Sequence, residues 1–413
     1  MRAALLLLLC LTSGIAIAQD STIEAPETGN PDSTGTKMTL GEGINFQIGS
    51  YRFKFSGMLQ PSVRYNKTDG IDRKTTLNTK RTYLNFGGNA LKEKISFFVQ
   101  ADFSASTPLL DAWVAYNFTP RFSLTAGQKR TFTNNREMTF NEDKLQFADR
   151  GMVSTAFTGN GREFGLFLEG KLGTSFIIAP QIAITSGDGP NSFGTSSSDM
   201  DLGGFKYGGR LDIYPLGDFK EGNSGFTADL KHEDSPKFVL GISGSLNKGA
   251  SNAKGEGHGN FLFYNAAKAQ QLPDLRKLHA DVLLKYQGVS LLAEYTNSSA
   301  AGLKGAYLDS TANTALLLKP GQISQYLILG NAYNVSLGYA TLSGYALDLR
   351  YEKLSPEFSD QAGSLLAKTD VQTIGLSRYF KDNKLKVQAS ASSVHYANSV
   401  NAFLAELMFQ VVF

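Results

Sequence analysis

NAFLAELMFQVVF, residues 401–413, is the stretch from which the rest of the chain is read. Side chains alternate between two faces along an extended backbone. Here Phe403, Ala405, Leu407, Phe409, Val411 and Phe413 share one face, and Glu406, Met408 and Gln410 share the other. Leu404 and Val412 interrupt the polar side only near its ends. An apolar strand at a terminus frays unless its edges are tied down, and a sheet closed into a barrel is the arrangement that leaves no edge free. The last strand of a soluble sandwich is the plainer alternative, which this stretch alone leaves open.

The same alternation recurs upstream. In residues 51–65, Tyr51, Phe53, Phe55, Gly57, Leu59, Val63 and Tyr65 oppose Arg52, Lys54, Ser56, Gln60, Ser62 and Arg64. Bare cations along one side need water, outside a soluble sandwich or inside a barrel whose exterior faces lipid. Further strands are predicted over 81–88, 95–104, 110–118, 122–129, 162–169, 175–185, 205–214, 237–246, 278–286, 289–298, 334–341, 345–353, 371–380 and 384–392. With the last strand that makes about sixteen. Tight turns alternate with long connections, so the expected fold is all-β: a transmembrane antiparallel β-barrel with short periplasmic turns and long extracellular loops. Tyr51, Tyr65, Tyr116, Phe118, Tyr214, Tyr286, Tyr351, Tyr379 and Phe380 stand near strand ends, where interfacial girdles lie. Strand propensity of aromatics contributes to the same pattern. There is no blade-length repeat of the kind a propeller carries.

A length of 413 residues would suggest two or three soluble domains. The even composition across residues 46–413 points instead to one barrel, with 42 Gly, 12 Pro, 28 Phe and 17 Tyr in the whole chain. A mean hydropathy of -0.17 suits it, because only alternate residues of a barrel touch lipid. Residues 1–18 read as a signal peptide, with Arg2, an apolar run over 3–11 and the small-residue site Ala16-Ile17-Ala18. That run is too short for a transmembrane helix. Cys10, the single cysteine, follows Leu9 rather than a small residue, so lipidation is not expected. Removing the signal would exclude disulfides, thiol catalysis and cysteine metal sites together. Residues 19–45 are polar and read as a flexible leader. The net charge is +3 without a basic run, which with export excludes a nucleic-acid partner.

The longest loops are expected over 130–161, 247–277 and 299–330, and loops of this length are functional or disordered. The first sets Arg130, Arg136, Lys144 and Arg150 among Glu137, Glu142, Asp143 and Asp149, and folded inward it would narrow a wide channel. Strand phase puts Arg52, Lys54, Arg64, Arg81, Lys129, Lys206, Arg210, Lys237, Lys285, Arg350, Lys384 and Lys386 on the inner side. It also puts Asp102, Asp111, Glu163, Glu169, Asp212, Asp281, Glu294, Asp348, Glu352 and Glu406 there. The plain reading of any one cation is a solvated or ion-paired wall charge. Arg52, Lys54 and Arg64 stand out because no acid interrupts them on their strand, and Lys129 at the root of the long loop comes next. Arg378 falls on the lipid side, where it would snorkel. His279 and Asp281 share a face, but neither they nor His232, His258 and His395 have a partnered nucleophile. With no nucleophile-elbow, Walker or dinucleotide fingerprint, the chain reads as neither an enzyme nor a cofactor protein. The pairs Asp69/Asp72 and Asp199/Asp201 read as turn residues rather than calcium ligands, so no metal site is expected.

Residues 401–413 also resemble the C-terminal strand of bacterial outer-membrane barrels, which alternates and ends in Phe. RTYLNFG (81–87), ISFFVQADF (95–103), LDAWVAY (110–116), LTAGQK (124–129) and FADRG (147–151) resemble the phosphate-selective porin O and P family. So do LRYEKL (349–354) and IGLSRYF (374–380). The resemblance spans roughly 46–413. It implies a sixteen-stranded barrel, usually a homotrimer, in the outer membrane of a Gram-negative-type bacterium, passing anions such as phosphate through a constriction of arginines and lysines. The pore-lining anion candidates are then Arg52, Lys54, Arg64, Arg81, Lys129, Arg136, Arg210 and Arg350. The expected role is passive diffusion of small hydrophilic solutes, biased to anions and taking in phosphate. The rival from another class is a non-transporting barrel whose loops serve as adhesin or receptor.

Overall fold

Alternation of the kind read at the C-terminus runs through sixteen strands of the computed structural model, which describes residues 35–39, 42–190, 204–257, 259–359, 361–397 and 399–413. The signal peptide, most of the leader, Asp199, Asp201 and His258 lie outside the described residues. The barrel strands are β1 (Tyr51–Thr68), β2 (Lys74–Ala90), β3 (Ile95–Asp102), β4 (Leu109–Thr119), β5 (Phe122–Arg130) and β6 (Arg162–Gly170). They continue as β7 (Ile177–Thr185), β8 (Lys206–Tyr214), β9 (Lys237–Asn247), β10 (Asp274–Tyr286) and β11 (Val289–Ala301). The last five are β12 (Gly330–Ala340), β13 (Tyr345–Pro356), β14 (Thr369–Lys381), β15 (Leu385–Tyr396) and β16 (Asn401–Val412). Each pairs antiparallel with the next, and β16 returns to β1 through pairs such as Leu404 with Asn66 and Met408 with Ser62. That last ladder closes the cylinder.

Period two explains both surfaces. Along β13, Ala346, Asp348, Arg350, Glu352 and Leu354 are buried, while Tyr345, Leu347, Leu349, Tyr351 and Lys353 are exposed. Around the outside Phe55, Leu59, Val63, Leu166, Ile182, Leu337 and Phe409 are likewise exposed. An apolar belt of this extent has no place in water and suits hydrocarbon. No helix among the described residues is long and apolar enough to cross a membrane.

Three features depart from expectation. Residues 35–45 were expected within the leader, but Gly35–Thr39 and Gly43–Ile48 form a hairpin that continues the wall. Its second strand pairs with β1 from Ile44–Phe55 to Ile48–Tyr51, because Ile44, Phe46 and Ile48 alternate with Asn45 and Gln47 as a wall strand must. Second, the register of β1 on β2 shifts between Gln60 and Pro61. Proline has no N–H for the ladder, and at this bulge both Lys80 and Arg81 reach carboxylates in the lumen. Third, the short-turn rim carries one long connection, residues 215–236. It folds back into the barrel, burying Asn223, Phe226, Ala228, Asp229 and Glu233. Lys285 Nζ donates to the carbonyls of Asn223 (2.5 Å) and Phe226 (2.7 Å), and the Gly288 N–H donates to Asp229 (2.8 Å).

On the opposite rim, residues 248–273 and 302–329 bury Ala250, Phe263, Ala306, Ile323, Leu327 and Leu329 together. This small core roofs the lumen over β9–β12.

Candidate functional site

Residues 131–161, between β5 and β6, fold into the lumen. They form α1 (Arg136–Thr139), a 3-10 turn (Glu142–Lys144) and α2 (Met152–Phe157). The segment carries Phe140, Leu145, Val153 and Phe157, which would be costly to leave in water. Phe140 and Leu145 pack on Phe219, Val239, Leu283 and Leu292. Val153 and Phe157 pack on Ala332, Leu354 and Leu366.

Polar anchors fix it to the wall. Arg136 bridges Asp281 and Asp212 (2.7 Å to the latter), and Arg210 donates to the same two carboxylates at 2.9 Å (Asp212) and 2.6 Å (Asp281). Two guanidiniums and two carboxylates leave this group neutral. Glu137 takes Arg350 at 2.9 Å, and Gln146 Nε2 donates to Ser290 (2.7 Å) and Asp348 (2.9 Å). Lys386 Nζ donates to the carbonyls of Asp143 (2.9 Å) and Leu145 (3.1 Å). The wall has room for these anchors because it lacks side chains beneath them: a Cβ on Gly241 would stand 2.3 Å from Arg210 and 2.5 Å from Arg136.

The other flank of the loop is crowded with cations. Glu142 receives Arg130 (2.7 Å), Arg150 (3.0 Å) and, more distantly, Arg162 (3.6 Å). Glu142 rides on the loop rather than on a spanning strand. Its burial works to raise its pKa, but Arg130, Arg162 and Arg150 override that and hold it well below the usual carboxylate range. Asp149 receives Arg64 (2.6 Å), Lys80 (2.9 Å) and Arg81 (3.4 Å), and Glu406 receives Arg64 (2.9 Å) and Lys80 (3.0 Å). Asp111 pairs with Arg162 at 2.9 Å. Six cations therefore face four carboxylates across the narrowed lumen.

Two cavities flank the loop. One of about 310 Å³ lies between the loop and β13–β16, with Arg64, Arg150, Arg350, Thr373, Ser390 and Ser392 against Asp149, Glu352 and Glu406. The other, of about 1060 Å³, opens at the short-turn rim under the N-terminal hairpin. Lys37, Arg52, Lys54, Phe98 and Trp113 line it, and none of its lining residues is acidic.

The eight candidates are thus dispersed. Arg52 sits at the rim in an exposed pair with Glu93 (2.9 Å), and Lys54 faces the large cavity. Arg64 lies twelve residues along the same strand, roughly 40 Å away, against Asp149 and Glu406. Arg81 joins the Asp149 cluster, Arg136 and Arg210 seat the loop, and Arg350 holds Glu137 with its guanidinium 4.3 Å over the Phe147 ring. Lys129 pairs with Glu169 over Phe167. Sequence reasoning missed Lys80 and Arg162, and Pro61 in mid-strand was the available signal for the first. Arg378 stacks on Tyr345 and Phe380 near the short-turn rim, as a snorkelling residue would. Asp69 accepts from the Asn401 N–H at 3.0 Å in a turn, and among the described residues no three metal-ligating side chains gather. His279 is buried with Nδ1 3.0 Å from Thr296 Oγ1.

A closed sixteen-stranded sheet, an apolar exterior and a charged lumen crossed by a loop define a transmembrane β-barrel of the outer-membrane porin type. The fold recurs in solved structures. The anion-selective porin from Comamonas acidovorans matches with a TM-score of 0.54 at 11% identity, covering 88% of this chain and 100% of that one. The outer membrane channel DcaP of Acinetobacter baumannii matches with a TM-score of 0.51 at 11% identity, over 88% and 97%. The outer membrane protein OmpT of Vibrio cholerae, in trimer form, matches with a TM-score of 0.51 at 11% identity, over 87% and 99%. No family model matches the chain, and no curated protein matches it. At these identities the likeness establishes the fold.

Proposed function

We propose that this chain is a passive diffusion channel of the bacterial outer membrane, taking small hydrophilic solutes with a bias to anions. The observation that carries the bias is the excess of cations over carboxylates where the loop narrows the lumen, Arg64, Lys80, Arg81, Arg130, Arg150 and Arg162 against Asp111, Glu142, Asp149 and Glu406. Fixed cations in a narrow wet passage favour anions. Phosphate falls within this reading, because guanidiniums bind its oxygens in pairs and Arg64, Arg150 and Arg350 share one cavity. A homotrimer is supported by the trimer form of one structural neighbour.

Reversal potentials across a planar bilayer in a salt gradient test the reading. Chloride more permeant than potassium, with phosphate slowing the chloride current, is the expected result. Potassium more permeant than chloride would overturn the bias, and no stable open steps would overturn the channel. In that last case the rival gains, a surface barrel acting as adhesin or receptor, which the packed core of residues 248–273 and 302–329 favours because it gives the outer loops a defined surface.

A further inference from the structure

The large cavity at the short-turn rim is assembled in register. β1–β4 place Lys54, Gly87, Phe98 and Trp113 in one row across the sheet, and Arg52, Asn89, Ser96 and Ala115 in the next. With strands about 4.8 Å apart, a row of four spans about 14 Å. A wet barrel has a polar interior, so Phe98 and Trp113 are anomalies there. Both are half-buried, with ring centroids 5.8 Å apart at 36°. Gly87 gives Phe98 its bed: a Cβ there would lie 3.0 Å from the Phe98 ring.

The polar groups around this aromatic shelf are one-sided in charge. Lys37, Arg52 and Lys54 line the cavity with the amides of Asn45, Gln47 and Asn89, and no Asp or Glu lines it. Arg52 is held by Glu93 at the rim. Lys37 and Lys54 have no ion-pair partner among the described residues. An apolar face beside unpaired cations and amide donors has the make-up of a small-molecule site.

We propose that this cavity binds organic anions with a flat apolar face, of the aromatic carboxylate class. The ring lies on Phe98 and Trp113, and the carboxylate turns toward Lys54. Cations alone would take any small anion, and the aromatic shelf alone would take neutral rings. The two together select. The site deepens the anion-channel reading, on which its use in transport rests, but occupancy itself needs no open path.

Trp113 is the chain's single tryptophan and reports the site directly. The full barrel in detergent is titrated with benzoate, with acetate and benzamide in parallel, and Trp113 fluorescence is followed. A saturable change with benzoate alone is expected. Lys54→Gln should raise the benzoate Kd about threefold to fivefold, the size of one ion pair in water. Phe98→Leu, which keeps bulk without the ring, should abolish saturation while the barrel keeps its heat-modifiable gel mobility. A response linear in benzoate, the same curve with acetate or benzamide, or curves unmoved by both substitutions would each overturn the site. A barrel that conducts but does not bind benzoate loses this site only, and one that binds but never conducts loses only the channel.

Discussion

A Cβ at Gly338 on β12 would stand 2.2 Å from both Asp348 Oδ1 and Gln146 Nε2, the pair that fastens the middle of the inserted loop to β13. Overpacking of this kind costs about 1–3 kcal/mol, and the loop yields before the barrel does. Gly338→Val should therefore raise single-channel conductance without loss of the folded barrel. Gly225→Ala, where a Cβ meets nothing within 4 Å, should leave conductance unchanged. Equal conductance in the Gly338 variant and the parent would mean that the loop does not limit flow. Glu142 poses the opposite question, because it is the carboxylate that holds Arg130 and Arg150 together. Glu142→Gln removes one negative charge from the narrowing and leaves buried guanidiniums uncompensated, at a cost of about 3–5 kcal/mol to the loop's docking. The reversal potential should move toward chloride, and a move toward potassium would contradict the placement of Glu142 beside the path.

At the scale of elements, the sixteen strands were legible because burial imposes period two along most of the wall. The predicted boundary 345–353 for β13 (Tyr345–Pro356) falls short at the long-loop rim, and 81–88 for β2 (Lys74–Ala90) falls short at the bulge. The destinations of the loops were not legible. Arg136 finds Asp281 across 145 residues and Arg350 finds Glu137 across 213, and no local pattern encodes such pairs. Lys80 was hidden for a different reason, since an inward turn at a bulge breaks the very alternation that assigns a face. The same limit concealed the inward fold of residues 215–236, which meet the long loop where Gln146 N donates to Thr227 Oγ1 at 3.0 Å. Lys285 holds this lower segment through the carbonyls of Asn223 and Phe226. Lys285→Met keeps the length of the stem and removes the donors, so it should free the segment. Limited proteolysis from the short-turn side should then cut within 215–236 in the variant and not in the parent. An unchanged cleavage pattern would show that other contacts hold the segment.

For the molecule as a whole, the arrangement of charge along the barrel matters more than its net value of +3. The narrowing mixes signs, and the Arg136, Arg210, Asp212 and Asp281 group is neutral. The cavity at the short-turn rim is lined by Lys37, Lys54 and Arg52, of which Arg52 alone is paired among the described residues, with Glu93 at its edge. A passage with unopposed positive charge at one mouth and a middle where carboxylates offset most of the cations is electrically asymmetric, so ions accumulate in it under one polarity of voltage and are depleted under the other. The current should rectify at 0.1 M salt, where the screening length is about 10 Å and the mouth's field fills the opening. At 1 M that length falls to about 3 Å, and the curve should straighten. Neutralising Lys37, Arg52 and Lys54 together to Gln should straighten it at 0.1 M as well, whereas Arg64→Gln, within the mixed cluster, should shift selectivity and leave the rectification in place. Because both variants keep the wall strands intact, the comparison isolates position from count. Rectification that persists in the triple variant, or at high salt, would mean that its source is the shape of the two inward-folded segments rather than the cationic mouth.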